Sequence, residues 1–440
     1  MRSLHRALVF ALSVAAVATA AGPVAAARPV FAVAPASAGR NLARPLGPYS
    51  IVPAWAQKNG GEALCEQADW GHAACFAAAN LAATTAGAAP VAVYGLRPAD
   101  LSNLYAYPQP GSQGALGAGQ VVAIVVAHDY AKAENDLAVY RRYFNLPPCT
   151  MAGGCLSKVG AAAPPVATAN ALSPQSISAN PTSPNEIGWA AETDIDMDVI
   201  SAVCPNCRIM LAEAKSDSLP DLANAVAAAV RAGATIVNAS YGARESRADY
   251  QSGSPYENGR VKVVAASGDW GYGQYYPAAD PDVIAVGGTT LNVSGKQVSE
   301  SVWAWTGSGC ALSAKPLWQS TFAFAWGSCV TRSLNDVAAV ADPRTGVAMY
   351  DSALFGAKGG GWSVAGGTSV SAPIVTAMYA LSGDTARGIG AQELYAAKPG
   401  TWLPVTTGAN GWCRPAYLCT AGPVYNGPTG LGIPHGLTGF

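Results

Sequence analysis

Val121-Val122-Ala123-Ile124-Val125-Val126-Ala127 is an unbroken run of seven apolar residues. A strand with one wet face alternates apolar and polar side chains, so a continuous run of this length reads as a strand buried on both faces. Such strands lie inside parallel sheets, with helices covering both sides. Outward from this run the pattern repeats. Glu134–Phe144 has helical spacing, and Glu186–Val203 is a second helical candidate. Arg208–Ala214 reads as a strand and Leu219–Ala232 as a helix. Thr235–Ser240, Val261–Ala266 and Val283–Leu291 read as further strands, and Ser369–Leu381 as an apolar helix opened by Gly-Gly-Thr. Alternating strands and helices predict an α/β fold with a mostly parallel central sheet flanked by helices. Right-handed crossovers gather the strand ends on one edge, and active sites in such sheets lie at the carboxyl ends of the strands. The loops after Ala127, Ser240 and Ala266 should therefore face one cleft. Segments 156–186 and 300–345 read as surface excursions, and no internal repeat is evident.

The amino-terminal part has a different character. Arg2, His5 and Arg6 precede an apolar run, Ala7–Ala21, and small residues at Ala25 and Ala27 offer a cleavage site. Residues 1–27 read as a secretory signal, too short in its apolar run for a membrane anchor. Residues 28–92 are rich in Ala, Pro and Gly and read as a short pro-region or linker with a local disulfide loop. The remainder, 93–440, reads as one large domain. Ten cysteines fall as close neighbours: Cys65 and Cys75, Cys149 and Cys155, Cys204 and Cys207, Cys310 and Cys329, Cys413 and Cys419. An even count in an exported chain suggests disulfides, with neighbour pairing the simplest of many connectivities. Zinc at Cys204-Pro205-Asn206-Cys207 would need a second ligand pair, and none stands out. The net charge is −1 and 12% of residues are charged, which argues against a nucleic-acid partner. The expectation is a secreted, extracellular monomer acting on protein or peptide, with no membrane partner.

Three places could do chemistry. Ser369, in Gly366-Gly367-Thr368-Ser369-Val370-Ser371-Ala372-Pro373, opens an apolar helix, where free backbone N–H groups favour developing negative charge. It could equally be a helix cap, and Ser371 is a rival on another face. Of the four histidines only His128 follows a predicted strand, and it lacks the surroundings of a triad base; His5, His72 and His435 are badly placed. Carboxylates are the alternative. Glu192-Thr193-Asp194-Ile195-Asp196-Met197-Asp198 carries four acids in seven residues. On a helix Glu192 and Asp196 share one face, and Asp194 and Asp198 another. Repulsion and burial would raise their pKa values, so that one acid holds a proton while its neighbour accepts one. A solvated helix face is the plainer reading, and a calcium loop a poorer one, since the glycine and terminal glutamate of an EF-hand are missing. Asp269, in Ala266-Ser267-Gly268-Asp269-Trp270-Gly271, could donate to an oxyanion if protonated, or could simply shape a turn.

Together these segments resemble the sedolisins, or serine-carboxyl peptidases, over roughly residues 93–436. GGTSVSAP is similar to the family's nucleophile segment, ETDIDMDVISAVCPNCRIMLAEA (192–214) to its acidic helix and following strand, ASGDWGYG (266–273) to its oxyanion segment, and YPAADPDVIAVGGTTL (276–291) to the next strand. The cysteines and Asp136–Arg141 suggest a secreted bacterial branch. The resemblance implies a subtilisin-like α/β fold and acid endopeptidase activity. Ser369 would be the nucleophile, Glu192 its base, Asp196 the partner of Glu192, and Asp269 the oxyanion acid. Three departures stand out. The family's calcium segment corresponds to Pro404-Val405 and Gly422–Asn426, where Pro404 and Asn426 replace aspartates and Val424 replaces a glycine, so no cofactor is expected. The pro-region is short. The acid often found after the first strand is replaced by Val126, with Asp129 the nearest substitute. A catalytically silent scaffold and an ordinary subtilisin-like peptidase using His128 are the competing functions.

Overall fold

Every residue of Val121–Ala127 is buried, and the strand lies between two parallel neighbours. Ile236–Ala239 pairs on one side, with Ile236 opposite Val122, and Arg208–Ala214 on the other, with Ile209 opposite Val122. The structure, a computed structural model, describes residues 44–45, 61–86, 93–160, 176–177, 183–250, 256–257, 259, 261–294, 297–320, 329–355, 360–385 and 390–440. The expected signal, 1–27, lies outside the described residues.

The largest sheet among the described residues has nine strands. Leu156–Gly160, Arg208–Ala214, Val121–Ala127, Ile236–Ala239, Lys262–Ala266 and Val283–Ser294 follow one another in space, all parallel. Val337–Val340 adds in parallel to the middle of Val283–Ser294, opposite Val286–Thr289, while Gln297–Val302 pairs antiparallel with its carboxyl half and Arg44–Pro45 follows antiparallel at the edge. This is the α/β architecture expected from the alternation of apolar runs. The predicted boundaries differ from the observed ones by a residue or two, except that Val283–Ser294 runs three residues longer. Segments 156–186 and 300–345 are not wholly surface excursions. The first supplies an edge strand, and the second supplies Val337–Val340, buried throughout, and the buried ion pair Arg332–Asp336. Val337–Val340 is too short for its apolar run to stand out from its polar flanks.

Two helices matter most. Pro184–Val203 starts at a capping box in which Ser183 Oγ accepts from the Glu186 amide and Pro184 opens the first turn. From Gly188 onward all its residues are buried, acids included, so it is an interior helix rather than a solvated one. Thr368–Ser382 packs against it and is buried from Thr368 to Leu381. Gly383, in the left-handed conformation, ends that helix.

The cysteines pair as neighbours, with Cα–Cα separations from 4.9 to 5.9 Å. Part of the stretch read as pro-region or linker is built into the fold. Glu62–Ala63 and Ala78–Ala86 join Gly361–Gly366 and Val347–Asp351 in a four-stranded sheet, and Ala74–Cys75 pairs with Tyr241–Arg244. Small residues in this stretch gave no periodic signal, because their pairing partners lie far away in sequence.

Candidate active site

The nucleophile segment turns sharply before its helix begins. Gly367 has φ 91°, and a Cβ there would collide with Phe76 O and Asp269 Oδ2. The turn places Ser369 on the first turn of the helix, wholly buried, facing the interior acidic helix. Ser369 Oγ lies 2.7 Å from Glu192 Oε2 and 3.0 Å from the Ser240 carbonyl. Ser371, the rival, points elsewhere and donates to Thr368 O at 3.2 Å.

Asp196, one turn beyond Glu192, accepts a hydrogen bond from Ser240 Oγ at 2.7 Å. Ser240 is itself held by Asn238 Nδ2 at 2.8 Å, and Asn238 Oδ1 accepts from Thr376 on the nucleophile helix at 3.0 Å. Ser240 and Asn238 end the Ile236–Ala239 strand and were not singled out by sequence reasoning. Their signal was a polar pair, Asn238 and Ser240, interrupting an otherwise apolar strand end. Burial raises the pKa of Glu192 well above the usual carboxylate range, and the charge of Asp196 adds to the effect. Burial raises Asp196 as well, against the lowering hydrogen bonds from Ser240 and Asn238. Glu192 Oε1 and Asp196 Oδ2 have no hydrogen-bond partner among the described residues. One proton on the pair would leave one acid free to accept another.

Asp269 follows the Lys262–Ala266 strand, as expected for a cleft loop. Its Oδ1 accepts from both Thr368 N and Thr368 Oγ1 at 2.8 Å, while Oδ2 is buried and unpartnered among the described residues. Burial pushes its pKa up to about 7, against the two Thr368 hydrogen bonds that lower it. Below that pH its free oxygen can carry a proton and donate it.

The other candidates fall elsewhere. Asp194 and Asp198 belong to a separate acidic group with Asp136 and Asp351. Burial and then mutual repulsion raise Asp194, and burial holds Asp351 at about 6. Asp198 accepts from Tyr350 N at 2.9 Å, and Asp136 accepts from Tyr130 and Ser352. Asp129 is ion-paired with Lys158, which also reaches Glu213 at 2.7 Å. His128, with φ 70° and a pKa lowered by burial, is not among the hydrogen-bond partners of Ser369. His72 pairs with Asp217.

In the segment matching the family's calcium loop, Asn426 Nδ2 donates to Val405 O at 3.3 Å, and Asn426 Oδ1 accepts from Thr429 N and Oγ1 at 3.0 and 2.8 Å. Val424 is exposed, and Pro404 and Gly422 bring no side-chain oxygen. Among the described residues no group of three or more His, Cys, Asp or Glu could hold a metal ion. No helix among them is long and apolar enough to cross a membrane.

A buried serine hydrogen-bonded to a glutamate therefore stands at the carboxyl edge of a mostly parallel sheet. The family model described as "Subtilase family" matches residues 176–394, a span that includes all four residues. Kumamolisin from Bacillus sp. (strain MN-32) is 29% identical over 393 residues, covering 81% of this chain and 64% of that protein. Sedolisin from Pseudomonas sp. (strain 101) is 32% identical over 180 residues, covering 37% of this chain and 29% of its own length. A solved structure of Pseudomonas sedolisin, a serine-carboxyl proteinase complexed with two molecules of pseudo-iodotyrostatin, superposes with a TM-score of 0.60 at 20% identity, covering 78% of this chain and 96% of that one. The chain is thus similar in sequence to the sedolisins over most of its length and has a subtilisin-like fold.

Proposed function

We propose that the chain is a secreted serine-carboxyl endopeptidase that hydrolyses peptide bonds at acid pH through an acyl-enzyme on Ser369. The observation that carries this reading is the 2.7 Å contact between Ser369 Oγ and Glu192 Oε2 in a fully buried site. Glu192 accepts the Ser369 proton as Oγ attacks, then returns it to the leaving amine. Asp196, fixed by Ser240, holds a proton against Glu192 and orients it. Neutral Asp269 and the Ser369 amide stabilise the oxyanion. An ionised Asp269 would repel it, so activity should fall as pH rises through about 7. Kumamolisin and sedolisin, the curated relatives, support the class. The disulfides fit export to an oxidising compartment.

Calcium plays no part in this reading. A hard cation wants six to eight oxygens, carboxylates prominent among them. Here the segment offers no carboxylate, and Asn426 uses its amide to cap Val405 O, the oxygen a cation would take.

The test is trapping the intermediate. The protein is mixed with a peptide ester at pH 4, quenched and digested, and the modified residue is mapped by mass spectrometry. An acyl adduct on Ser369, absent from Glu192→Ala, is the expected result. No adduct, or one on Ser371, rejects the reading.

A further inference from the structure

The helix that carries Ser369 reaches the acid pair a second time, by a longer route. Thr376 stands seven residues beyond Ser369. Two helical turns take about 7.2 residues, so the two side chains lie on one face, about 10 Å apart along the axis. Thr376 Oγ1 donates to Asn238 Oδ1 at 3.0 Å, Asn238 Nδ2 donates to Ser240 Oγ at 2.8 Å, and Ser240 Oγ donates to Asp196 Oδ1 at 2.7 Å. All four groups are buried. Asp196 Oδ2 and Glu192 Oε1, with no other partner among the described residues, are left to share the pair's proton. Ser369 Oγ meets the remaining oxygen, Glu192 Oε2, at 2.7 Å. Every donor in this row points towards Glu192, and the row begins and ends on one helix.

The direction of the row is a choice. An asparagine amide can turn end for end, and a threonine hydroxyl has one proton to give. In the reversed row Thr376 gives its proton to Ala372 O, 2.9 Å away. Asn238 Nδ2 then faces Thr376, Asn238 Oδ1 takes the Ser240 proton, and Asp196 loses its donors. The Thr376 hydroxyl holds Asn238 Oδ1 in the forward arrangement. Without it a buried acceptor is left unpaired, and the forward order loses its anchor.

Few charges compete at the pair. Glu192 and Asp196 face each other, and Asp269 adds a weaker repulsion on Glu192. The other acids of the helix, Asp194 and Asp198, face Asp136 and Asp351, with Arg141 also acting on Asp198. Asp100 is paired with Arg97 and Asp129 with Lys158, while His128 feels Asp217 and Glu186. Hydrogen bonds are therefore the main influence opposing burial at Asp196, and those from Ser240 and Asn238 lower its pKa.

We propose that Thr376 is a positioning residue: its hydroxyl orients the Asn238 amide, so that the row of donors ends on Asp196 and leaves Glu192 free to take the Ser369 proton in acid. The inference rests on the proposed function. Losing the row removes donors that favour the ionised form, so the pair keeps both its protons to a higher pH and Glu192 cannot act as base there. The acid limb of the pH profile should then move up, while the alkaline limb owed to Asp269, which the row does not touch, should move less.

The test is kcat and KM of the full chain on a peptide substrate from pH 2 to pH 8. Thr376→Val should move the acid limb of kcat/KM upward by about 0.5–1 pH unit, a loss of roughly 3–10-fold on the acid side, with the plateau within about threefold of the parent. Thr376→Ser, which keeps the hydroxyl, should restore the parent profile. Asn238→Ala should shift the limb at least as far, and Thr376→Val added to it should change nothing more. Thr376→Ala is read in the same way should valine fail to fold, as judged by circular dichroism. An acid limb that stays with the parent, a loss equal at every pH, or a serine variant as shifted as valine overturns the inference and leaves the function standing. A parent chain without activity, or one whose activity survives Ser369→Ala, overturns both.

Discussion

Replacing Asp269 by asparagine separates two roles that one carboxyl plays. Thr368 N and Thr368 Oγ1 both donate to Oδ1, and an asparagine can keep its carbonyl oxygen there. Its Nδ2 then takes the place of Oδ2, the unpartnered atom near Gly367. An amide donates at every pH, whereas the carboxyl donates only below about 7. At pH 4 the carboxyl is about 99.9% neutral, so the asparagine variant should keep kcat within roughly tenfold of the parent. Alanine removes the donor and should lower kcat by about 10²–10³-fold, or roughly 3–4 kcal/mol, with KM little changed. The variants should also differ in their alkaline limb. The parent should lose activity as pH rises through about 7, while the asparagine variant loses only the part owed to the Glu192–Asp196 pair. The assay is kcat and KM on a peptide substrate from pH 3 to pH 8. If asparagine is as damaging as alanine at pH 4, Asp269 is not an oxyanion donor.

Other expectations follow from the same geometry. Thermal stability should be highest in acid, because acids whose folded pKa is raised bind more protons in the folded state, and their contribution is lost as pH rises through the folded values. Asp269 alone, moved from 3.8 to about 7, accounts for about 4 kcal/mol between those limits, with Asp351 at about 6 adding in the same direction. A melting temperature unchanged or higher from pH 4 to pH 8 would contradict it. Millimolar calcium or EDTA should leave the melting curve unmoved, since Asn426 already occupies Val405 O; a rise of several degrees with calcium would show a working site.

Much of the site was legible in the sequence because its parts are local. Gly366–Pro373, Glu192–Asp198 and Ala266–Gly271 each carry their chemistry in a few adjacent residues, and the i, i+4 spacing put Glu192 and Asp196 on one face. The parallel sheet was legible from apolar runs such as Val121–Ala127. The remainder depends on meetings between distant segments. Asp194 and Asp198 form a pair on their own helix, but their surroundings come from Asp136 and Asp351, which no spacing rule connects to them. Ser240 fixes Asp196 from another strand. Phe76 lies in an Ala-rich stretch with no periodic signal, and its place at Ser369 follows from pairing with residues about 165 and 290 positions later.

The central claim is that a glutamate rather than a histidine activates Ser369. It is tested most directly by kcat/KM at pH 4 on a denatured protein for the parent chain, Glu192→Ala and His128→Ala. The account predicts a loss of about 10⁴-fold or more in Glu192→Ala, as for removing the base of a serine peptidase, and near-native activity in His128→Ala. Activity that survives Glu192→Ala and disappears in His128→Ala would contradict it.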